Sequence, residues 1–470
     1  MLQSVKNACF KHNFEIYGFF TFWLIAFMLI INYQRYADDV SWIAKIEELG
    51  GWWNATLFYS KSWQPRYAIT VLQMILVSHL FIWKIVNSFC LTLSLFLIYK
   101  IASKNQSLEK NKLYVLLGVF SAFWLIYVDV LVWAYYWLAG SPVYNIAFTA
   151  TLISVLPFIY LIRGDKNLIT KFTIIPLMII SFIPCYNEQT SVLLTGFSVF
   201  VLAFLLYRKI KIPKMFFVYC AWIVANSVFF NIINFRAPRN IRELRWMPNF
   251  QMLSIIDKIF QAVSFTNYNV LHVSGFLFLA CTGLTAYIIY KKYNTWVRFI
   301  GFIPLIYSLM SCVPFESIFS LGGLSSYTYP ISSQVFGYGM YSSSTVSDFN
   351  TVYLQLLPAM GSVFIIILFG FLLFFVFENI REKVIVSVLY AGGLIVSYAL
   401  GFTGAFFAIG GRGFFIINMI MLFLFVSQCR VAINFAGEKT VKKAGIVFVI
   451  FCSMFLIRTV ILCLNIMERI

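Results

Sequence analysis

Two adjacent carboxylates, Asp38 and Asp39, follow the first apolar segment of the chain and are the side chains best suited to acid–base chemistry. Transfer of a group to a hydroxyl requires a base that takes the hydroxyl proton. Surroundings of low dielectric constant raise the pKa of a carboxylate and make it a better base. The pair could also simply begin a helix, because Asp is favourable before VSWIAKIEEL. The residues that follow favour the catalytic interpretation.

The segment that follows the first apolar span, residues 34–79, combines several Trp with an Arg and is predicted to be a catalytic outer loop with short surface helices. Indole faces stack on sugar rings, although they also anchor proteins at bilayer interfaces. Trp63 is the indole nearest in sequence to Arg66, within SWQPRY. A guanidinium group at this place can pair with a phosphate or with a carboxylate such as Asp38.

Two further polar segments interrupt the apolar spans. The first, WAYYWLAGSPVYN, contains Tyr144 and begins four residues after Asp129; its aromatic side chains could line a cavity or form an ordinary interfacial belt. The second contains Asn187 and Glu188, and Glu188 is the only acid before position 243 once Asp165 has been passed. An acid between two apolar spans is a functional candidate. The alternatives for Glu188 are a short outer turn and a salt bridge to an outer Arg.

A cluster of Arg lies in the predicted outer loop 234–270, and one more Arg follows late in the chain. The sequence RAPRNIRELR places four Arg within ten residues, at positions 236, 239, 242 and 245. Arg239 and Arg242 would share a helix face, as would Arg242 and Arg245. Such a face suits capture of a phosphate, and contact with anionic lipid is the alternative. Arg412, flanked by Gly in GGRG, could complete the same site, because Gly lets a ligand approach the backbone.

The composition indicates an integral membrane protein of the all-α class. Of the 470 residues, 61% are hydrophobic and 11% are charged, whereas soluble domains carry about 25% charged residues. A spanning helix needs about 20 apolar residues, which predicts about 11–13 spans in a single domain, residues 1–470. The short apolar segment 67–79 is interpreted as a surface helix. The predicted spans are 16–33, 80–102, 113–130, 143–162, 172–186, 188–207, 215–233, 271–290, 297–313, 351–377, 384–407, 413–428 and 444–463.

The distribution of basic residues predicts the orientation of the chain. Of the 35 Lys and Arg, 22 are assigned to the cytoplasmic side and 12 to the outer side, which places the N-terminus in the cytoplasm. The inner set has 17 Lys and 5 Arg, whereas the outer set has 3 Lys and 9 Arg. Outer Arg suits a phosphate ligand, which guanidinium groups bind in a bidentate way. The net charge of +18 is attributed to cytoplasmic loops and to anionic membrane lipid, and no nucleic acid partner is expected.

Other classes of site are not favoured by the sequence. The nine Cys are scattered without a CxxC motif, and none of the three His accompanies a Cys pair, so no metal site is predicted. Asp38, Asp39 and Glu188 could hold a divalent cation, but nothing requires one, and no cofactor is expected. The chain has no Walker motif and no inverted repeat, which disfavours pumps and secondary transporters. The Ser/Tyr/Gly-rich outer loop 314–350 could form a lid or a plain connector.

Taken in order along the chain, these motifs resemble those of the GT-C class of polytopic glycosyltransferases. More narrowly, the chain is similar to the bacterial group that contains phage-encoded glucosyltransferases of O-antigen serotype conversion. The resemblance covers most of the chain and depends on the series of motifs. Its residues are the pair Asp38 and Asp39, Arg66, the segment from Gly140 and Ser141 to Tyr144, Asn187 with Glu188, the run Ala237, Pro238, Arg239 and Asn240 with Arg242, and Arg412.

The resemblance implies a GT-C-like bundle and an inverting transferase of the bacterial inner membrane, with its active site in the periplasm. The donor would be a polyprenyl-phosphate-linked sugar, expected to be glucose, and the acceptor a lipid-linked or polymeric polysaccharide such as the O-antigen of lipopolysaccharide. Asp38 would be the base, and Asp39 would orient a substrate. The residues expected to stabilise the leaving phosphate are Arg66, Arg239, Arg242 and Arg412. The residues expected to contact substrate are Trp63, Tyr144, Asn187, Glu188 and Asn240.

Two other functions stay open at this point. A polysaccharide polymerase is also polytopic and basic, but it would rely on two large outer loops and would stay active after replacement of Asp38 by Asn. A flippase or transporter of lipid-linked sugars would carry charged residues deep in its spans, whereas Asp129 and Glu188 lie near the ends of predicted spans. The early acidic pair favours the transferase.

Overall fold

The computed structural model of the protein is helical. No strand occurs within the described residues, which confirms the predicted all-α class. The described residues are 2–31, 35, 38–103, 112–165, 169–312, 349–405 and 409–468. The predicted Ser/Tyr/Gly-rich loop 314–350 therefore lies outside the described residues, except for its last two positions, which begin a helix.

The N-terminal half consists of one long helix, a group of short helices and then a series of longer ones. The first are α1 (Leu2–Ile30), α2 (Asp38–Glu48), α3 (Trp52–Ser62), α4 (Tyr67–Ser78) and α5 (Leu80–Ala102). Next come α6 (Lys112–Phe123), α7 (Val128–Leu131) with a π-helical extension Val132–Tyr136, a π-helix Pro142–Ile146 that continues as α8 (Ala147–Ile162), α9 (Lys171–Cys185), α10 (Glu188–Tyr207) and α11 (Lys214–Phe235). As predicted, the segment 34–79 carries short helices.

The C-terminal half alternates long helices with short helical turns. It contains α12 (Pro238–Arg242), the 3-10 helices Glu243–Trp246 and Pro248–Met252, α13 (Ile255–Tyr268) with a π-helical extension Asn269–Val273, α14 (Gly275–Lys292), α15 (Val297–Ile300) and α16 (Phe302–Cys312). It continues with α17 (Phe349–Val376), α18 (Ile380–Ala399), the 3-10 helices Leu400–Phe402 and Gly410–Phe414, α19 (Phe415–Ile433) and α20 (Glu438–Glu468).

The lengths of these helices make the chain a multi-pass membrane protein. Eight helices within the described residues are long and apolar enough to cross a membrane, and two bent pairs bring the number to as many as ten. This is fewer than the 11–13 predicted spans. Three predicted spans fall on apolar stretches of at most 17 residues within the described part of the chain, which are Ile16–Ile30 at the end of the longer helix α1, Phe172–Cys185 and Val297–Cys312. A straight spanning helix needs about 20 residues.

The structure contains two bends that were not predicted from the sequence. The predicted continuous span 113–130 breaks after α6, and α7 leaves it at an angle of 93°. The chain then turns back through Gly140, where an added Cβ would lie 2.0 Å from the Trp133 carbonyl oxygen, so only Gly fits. In the second bend, α13 and its π-helical extension meet α14 at 78°. Both bends bring polar residues from the ends of helices toward one end of the bundle.

Helix α19 forms the centre of the bundle. Almost all of its side chains are buried, and it packs against α5, α6, α14 and α18. A helix that is apolar on every face is expected in such a central position. Of its two buried amides, Asn418 and Gln428, the second donates a hydrogen bond of 2.8 Å to Thr285 Oγ1 on α14. The 3-10 helix that carries Arg412 precedes this rigid helix directly.

We refer to the 3-10 helix Gly410–Phe414 as the Arg412 turn. A buried ion cluster joins four helices at the end of the bundle that faces away from this turn. Arg163 donates two hydrogen bonds to Glu382, of 2.8 and 2.9 Å, and Arg430 approaches the same carboxylate to 3.7 Å. Arg430 also donates to the Ala102 carbonyl at the end of α5, at 2.9 Å. We refer to Arg163, Glu382 and Arg430 as the Arg163 ion cluster. It ties the ends of α5, α8, α18 and α19 together.

Replacement of Glu382 by Gln is expected to destabilise the protein. The change leaves two arginines, each with a side chain 8% exposed, without a neutralising charge, and loss of one partner from a buried pair costs about 3–5 kcal/mol. Thermal unfolding in detergent micelles measures the effect as a lower Tm. The matched control is Glu378→Gln, because Glu378 pairs with Lys292 while its side chain is 81% exposed. Equal Tm values for the two variants would contradict the structural role of the cluster.

Candidate functional site

The first turn of α10 organises the predicted site. Asn187 precedes the helix, and its Oδ1 accepts hydrogen bonds from the backbone N–H groups of Gln189 and Thr190, each at 3.1 Å. This is the usual arrangement of a helix N-cap. Its Nδ2 donates to the Val143 carbonyl at 3.0 Å, and the side chain is buried. The structure therefore gives Asn187 a structural role, and its predicted contact with substrate is not supported.

Glu188 joins two distant arginines. Arg66 Nε lies 3.1 and 2.9 Å from the two carboxylate oxygens of Glu188, and Arg239 Nη1 lies 3.5 Å from one of them. Arg239 also pairs with Glu243, one helical turn later. We call Arg66, Glu188, Arg239 and Glu243 the Glu188 ion cluster. Its formal charges cancel, and Glu188 forms the salt bridge to an Arg that was considered as an alternative for it.

Further hydrogen bonds lock the loop before α4 to the loop after α11. The backbone N–H of Arg239 donates a hydrogen bond to the Trp63 carbonyl at 3.0 Å. Arg239 also donates to Gln64 Oε1, and Gln64 Nε2 donates to Asn234 Oδ1 at 3.2 Å. Burial works to lower the pKa of Arg239, but the carboxylates of the cluster outweigh it and raise this pKa above its ordinary value. Arg239 is thus held as a permanent cation within the cluster.

This pairing changes the roles predicted for the arginines. Arg66 and Arg239 were expected to hold a phosphate, but a phosphate would have to compete with the carboxylates that they already bind. Arg242 and Arg245 are exposed and have no ion pair with any described residue. Arg242 lies 5.9 Å from the ring of Trp63, and Arg245 stacks on the next residue. These two guanidinium groups are therefore better placed than Arg66 and Arg239 to meet an anion.

The two acids of α2 have opposite environments. Asp38 is exposed, whereas Asp39 is completely buried. Both stand in the first turn of the helix, so the alternative that the pair begins a helix is also correct. Removal of water by the surrounding protein raises the pKa of Asp38, and the charges of Arg412 and Arg245 act in the opposite direction. Asp38 thus lies within the electrostatic influence of two arginines far away in sequence, while Asp39 is not positioned to touch a substrate.

The turn that carries Arg412 is fixed to both sides of this region. Gly411 N donates to Asp129 Oδ2 at 3.2 Å, and Gln189 Nε2 on α10 donates to the Gly413 carbonyl at 2.7 Å. The guanidinium carbon of Arg412 lies 5.2 Å from the ring of Trp137. The hydrogen bond from Gln189 places the Arg412 turn beside Glu188, because Gln189 follows Glu188 directly in the first turn of α10. The Arg412 turn and the Glu188 ion cluster therefore belong to one region.

The remaining predicted contact residues surround the Glu188 ion cluster. Tyr144 is half-buried and lies close enough to Arg239 to contribute to its raised pKa, after the larger contributions of Glu243 and Glu188. Trp63 is half-buried beneath Arg242. Asn240 is exposed, and its amide nitrogen donates to the Asn234 carbonyl at 2.9 Å, which closes the end of α11. Tyr144 and Trp63 are thus near the candidate site, whereas Asn240 has a structural hydrogen bond of its own.

A groove lies between α10 and α11, two helices that are long and apolar enough to span a membrane. It has a volume of about 700 Å³. Its lining combines apolar and hydroxyl-bearing or amide side chains. The lining residues are Ser191, Val192, Thr195, Gly196, Ser227, Val228, Asn231, Ile232, Phe235 and Arg236. Ser191 Oγ donates to the Glu188 carbonyl at 3.2 Å, so the upper end of the groove adjoins the Glu188 ion cluster.

No group of three or more His, Cys, Asp or Glu side chains in the described part of the chain is arranged to hold a metal ion. Of the acids considered for a cation, Glu188 binds two arginines and Asp39 is buried. The chemistry available to this region is that of one exposed carboxylate and several guanidinium groups. Such a set can remove a proton from a hydroxyl and stabilise a developing negative charge.

Several residues of the region were not predicted from the sequence. Gln64, Gln189 and Glu243 carry no distinctive motif, and their importance lies in partners that are far away in the chain. Arg245 belonged to the predicted Arg cluster, through the spacing that it shares with Arg239 and Arg242, but it was not singled out as a phosphate ligand. Comparison of the chain with protein families, with curated proteins and with solved structures finds no match.

Replacement of Asp38 by Asn is expected to stabilise the protein at neutral pH. Since the surrounding protein removes part of the water around the Asp38 carboxyl and raises its pKa above the ordinary value of 3.8, the folded protein binds this proton more tightly than the unfolded chain. The stabilising contribution of the proton is complete below 3.8 and is lost as the pH rises through the folded-state pKa. Thermal unfolding should therefore give the variant a higher Tm at pH 7.

The Tm difference between Asp38→Asn and the unmodified protein should shrink as the pH falls toward 3.8. Glu47→Gln is the matched control, because Glu47 is an exposed acid on the same helix. A variant Asp38→Asn that is less stable than the unmodified protein at pH 7 would show that the arginines, rather than desolvation, dominate at this position.

Proposed function

We propose that the protein is an inverting glycosyltransferase that moves a sugar, expected to be glucose, from a polyprenyl-phosphate donor to a surface polysaccharide such as O-antigen. The reaction would take place at the outer face of the bacterial inner membrane. The observation that carries this proposal is the position of Asp38, an exposed carboxylate under the influence of Arg245 and Arg412. A base beside cations that can accept a leaving phosphate is what glycosyl transfer from a lipid phosphate requires.

In the proposed reaction, Asp38 accepts the proton of an acceptor hydroxyl. At the same time, the oxygen of that hydroxyl attacks the anomeric carbon of the donor sugar. The bond between that carbon and the phosphate oxygen breaks, and the bonding electrons leave with the phosphate. Attack from the side opposite the phosphate inverts the anomeric configuration. The raised pKa of Asp38, caused by removal of water, strengthens it as a base.

The charge that develops on the leaving phosphate requires guanidinium groups that are not already neutralised. Arg242 and Arg245 are exposed next to the Glu188 ion cluster, and Arg412 influences Asp38 from the other side. We therefore assign phosphate stabilisation to Arg242 and Arg245, and we add Arg412 because of its influence on the proposed base Asp38. Arg66 and Arg239 are bound to carboxylates, and they would hold in place the loops that carry the phosphate-binding arginines.

The groove between α10 and α11 supports a donor with a lipid chain. Its apolar side chains, such as Ile232 and Phe235, can contact an isoprenoid, and its upper end adjoins the Glu188 ion cluster through Ser191. Arg236, at the same end, adds a positive charge where a lipid phosphate would emerge from the bilayer. The lipid tail and the phosphate would thus occupy neighbouring places.

Replacement of Asp38 by Asn is expected to lower sugar transfer by about 10²–10⁴-fold, because it removes the general base. The measurement is composition and linkage analysis of the surface polysaccharide from cells that produce the unmodified chain, the variant or no chain. Glu47→Gln serves as the control, since it removes an exposed acid from the same helix without touching the proposed base. Its glycan should match that of the unmodified chain.

Two outcomes of this measurement would overturn the proposal. A glycan that is identical with and without the chain would exclude a role in transfer to that polysaccharide. An altered chain length with unchanged branches, retained by the Asp38→Asn variant, would favour a polymerase instead. The matched analysis of lipid-linked intermediates tests for transport, because a flippase would change their distribution across the membrane without creating a new glycosidic bond.

A further inference from the structure

Asp129 connects two segments that surround Arg412. Its Oδ1 accepts a hydrogen bond of 2.8 Å from the indole N–H of Trp133, one turn further along the same helical segment. Its Oδ2 accepts a hydrogen bond of 3.2 Å from the backbone N–H of Gly411, which is 282 residues later in the chain. One carboxylate thus fixes both an indole ring and the backbone on which Arg412 is mounted.

The Gly residues of the Arg412 turn are shaped around this carboxylate. A Cβ added to Gly411 would lie 2.6 Å from Asp129 Oδ2 and 3.0 Å from the Val130 backbone nitrogen, so no side chain fits there. Gly410 has a φ angle of +59°, in the left-handed region that favours Gly. The close contact between Asp129 and the turn therefore depends on these two glycines, and the pattern GGRG has a structural explanation.

The same arrangement holds the guanidinium group of Arg412. Its central carbon lies 5.9 Å from the ring of Trp133 and 5.2 Å from the ring of Trp137. The two indoles pack edge to face, with centroids 5.5 Å apart. Because Asp129 orients Trp133 and anchors Gly411, it controls both the ring beneath the guanidinium group and the backbone that carries it.

We infer that Asp129 is a positioning residue that keeps the Arg412 guanidinium group within electrostatic reach of Asp38. The inference rests on the proposed function, in which Asp38 is the base and Arg412 stabilises the leaving phosphate. Asp129 itself touches no reacting atom. It acts through Gly411 and Trp133, and its loss should therefore change the charge around Asp38 without removing any catalytic group.

A displacement of Arg412 would change the set of titratable and charged groups around Asp38. The neighbouring helix α3 contributes Tyr59, the turn after α12 contributes Arg245, and the turn before α19 contributes Arg412. The helix α4, which also packs on α2, has Tyr67 as its single titratable side chain. Loss of Arg412 from this set would leave Arg245 as the cation that lowers the pKa of Asp38.

The direction in which the pKa of Asp38 shifts separates a positioning role of Asp129 from a direct effect of the Asp129 charge. Removal of the negative charge of Asp129 would by itself lower the pKa of Asp38, because a like charge disappears. Displacement of Arg412 would raise the pKa of Asp38, because an opposite charge moves away. The inference predicts the second result.

The test uses the full chain in detergent micelles and needs no substrate. The apparent pKa of Asp38 is obtained from the pH at which the Tm difference between Asp38 and Asp38→Asn develops, in the unmodified background and in the Asp129→Ala background. The expected result is an upward shift on the order of one pH unit in the Asp129→Ala background. An unchanged or lowered pKa would overturn the inference.

Two further variants keep the test decisive. Trp133→Phe retains an aromatic ring beneath Arg412 but removes the N–H that orients Asp129, so it should shift the pKa of Asp38 in the same direction by a smaller amount. It decides the question if Asp129→Ala does not fold. Asp257→Asn is the control, because Asp257 accepts its hydrogen bonds from Ser254 at the start of α13, where it caps that helix. It should leave the pKa of Asp38 unchanged.

An activity measurement then separates this inference from the proposed function. Membranes that contain the full chain are supplied with polyprenyl-phosphate glucose, and transfer to the surface polysaccharide of the producing cells is followed against pH. In Asp129→Ala, the acidic limb of the profile should move to higher pH, and kcat should fall more than KM rises. No transfer by the unmodified chain would refute the function itself. Normal transfer with an unshifted profile in Asp129→Ala would refute only the positioning role.

Discussion

The ion pairs of Glu188 with Arg66 and Arg239 are the constraint on which the candidate site depends. They join the start of α4, the start of α10 and the short helix α12, which are far apart in the sequence. A mostly buried carboxylate between two guanidinium groups is strongly destabilised if either partner is lost. The adjacent residues of the same turn, Asn187 and Gln189, attach it to the π-helix before α8 and to the Arg412 turn.

This constraint divides the arginines of the region into two groups. Arg66 and Arg239 are neutralised by carboxylates and serve to hold the loops together. Arg242 and Arg245 have no ion pair with any residue in the described ranges, so their charge is available to a ligand. The same distinction applies to the acids of α2, because Asp38 reaches solvent and Asp39 does not. The charged residues of this region thus form two groups. One consists of ion pairs that hold the loops together, and the smaller one consists of charged side chains that a ligand can reach.

The sequence predicted the helices well because apolar runs are long and polar interruptions are clear. It also identified Glu188, since a lone acid between two spans is conspicuous. The break after α6 was not predictable, because the residues at the bend, WLIY, include neither Gly nor Pro. The partners of Glu188 were equally hidden, as Arg66 lies 122 residues away. The N-cap role of Asn187 had a local signal, Asn before an apolar helix, that the functional interpretation overlooked.

The central claim is that Glu188 holds the two loops through its charge. A double-mutant cycle with Arg66→Met, Glu188→Met and the combined variant, followed by thermal and chemical unfolding in micelles, measures this directly. We predict that the two single changes are not additive, with a coupling energy on the order of 3 kcal/mol, because the second change relieves the unpaired charge left by the first. Additive effects, within about 0.5 kcal/mol, would contradict the account.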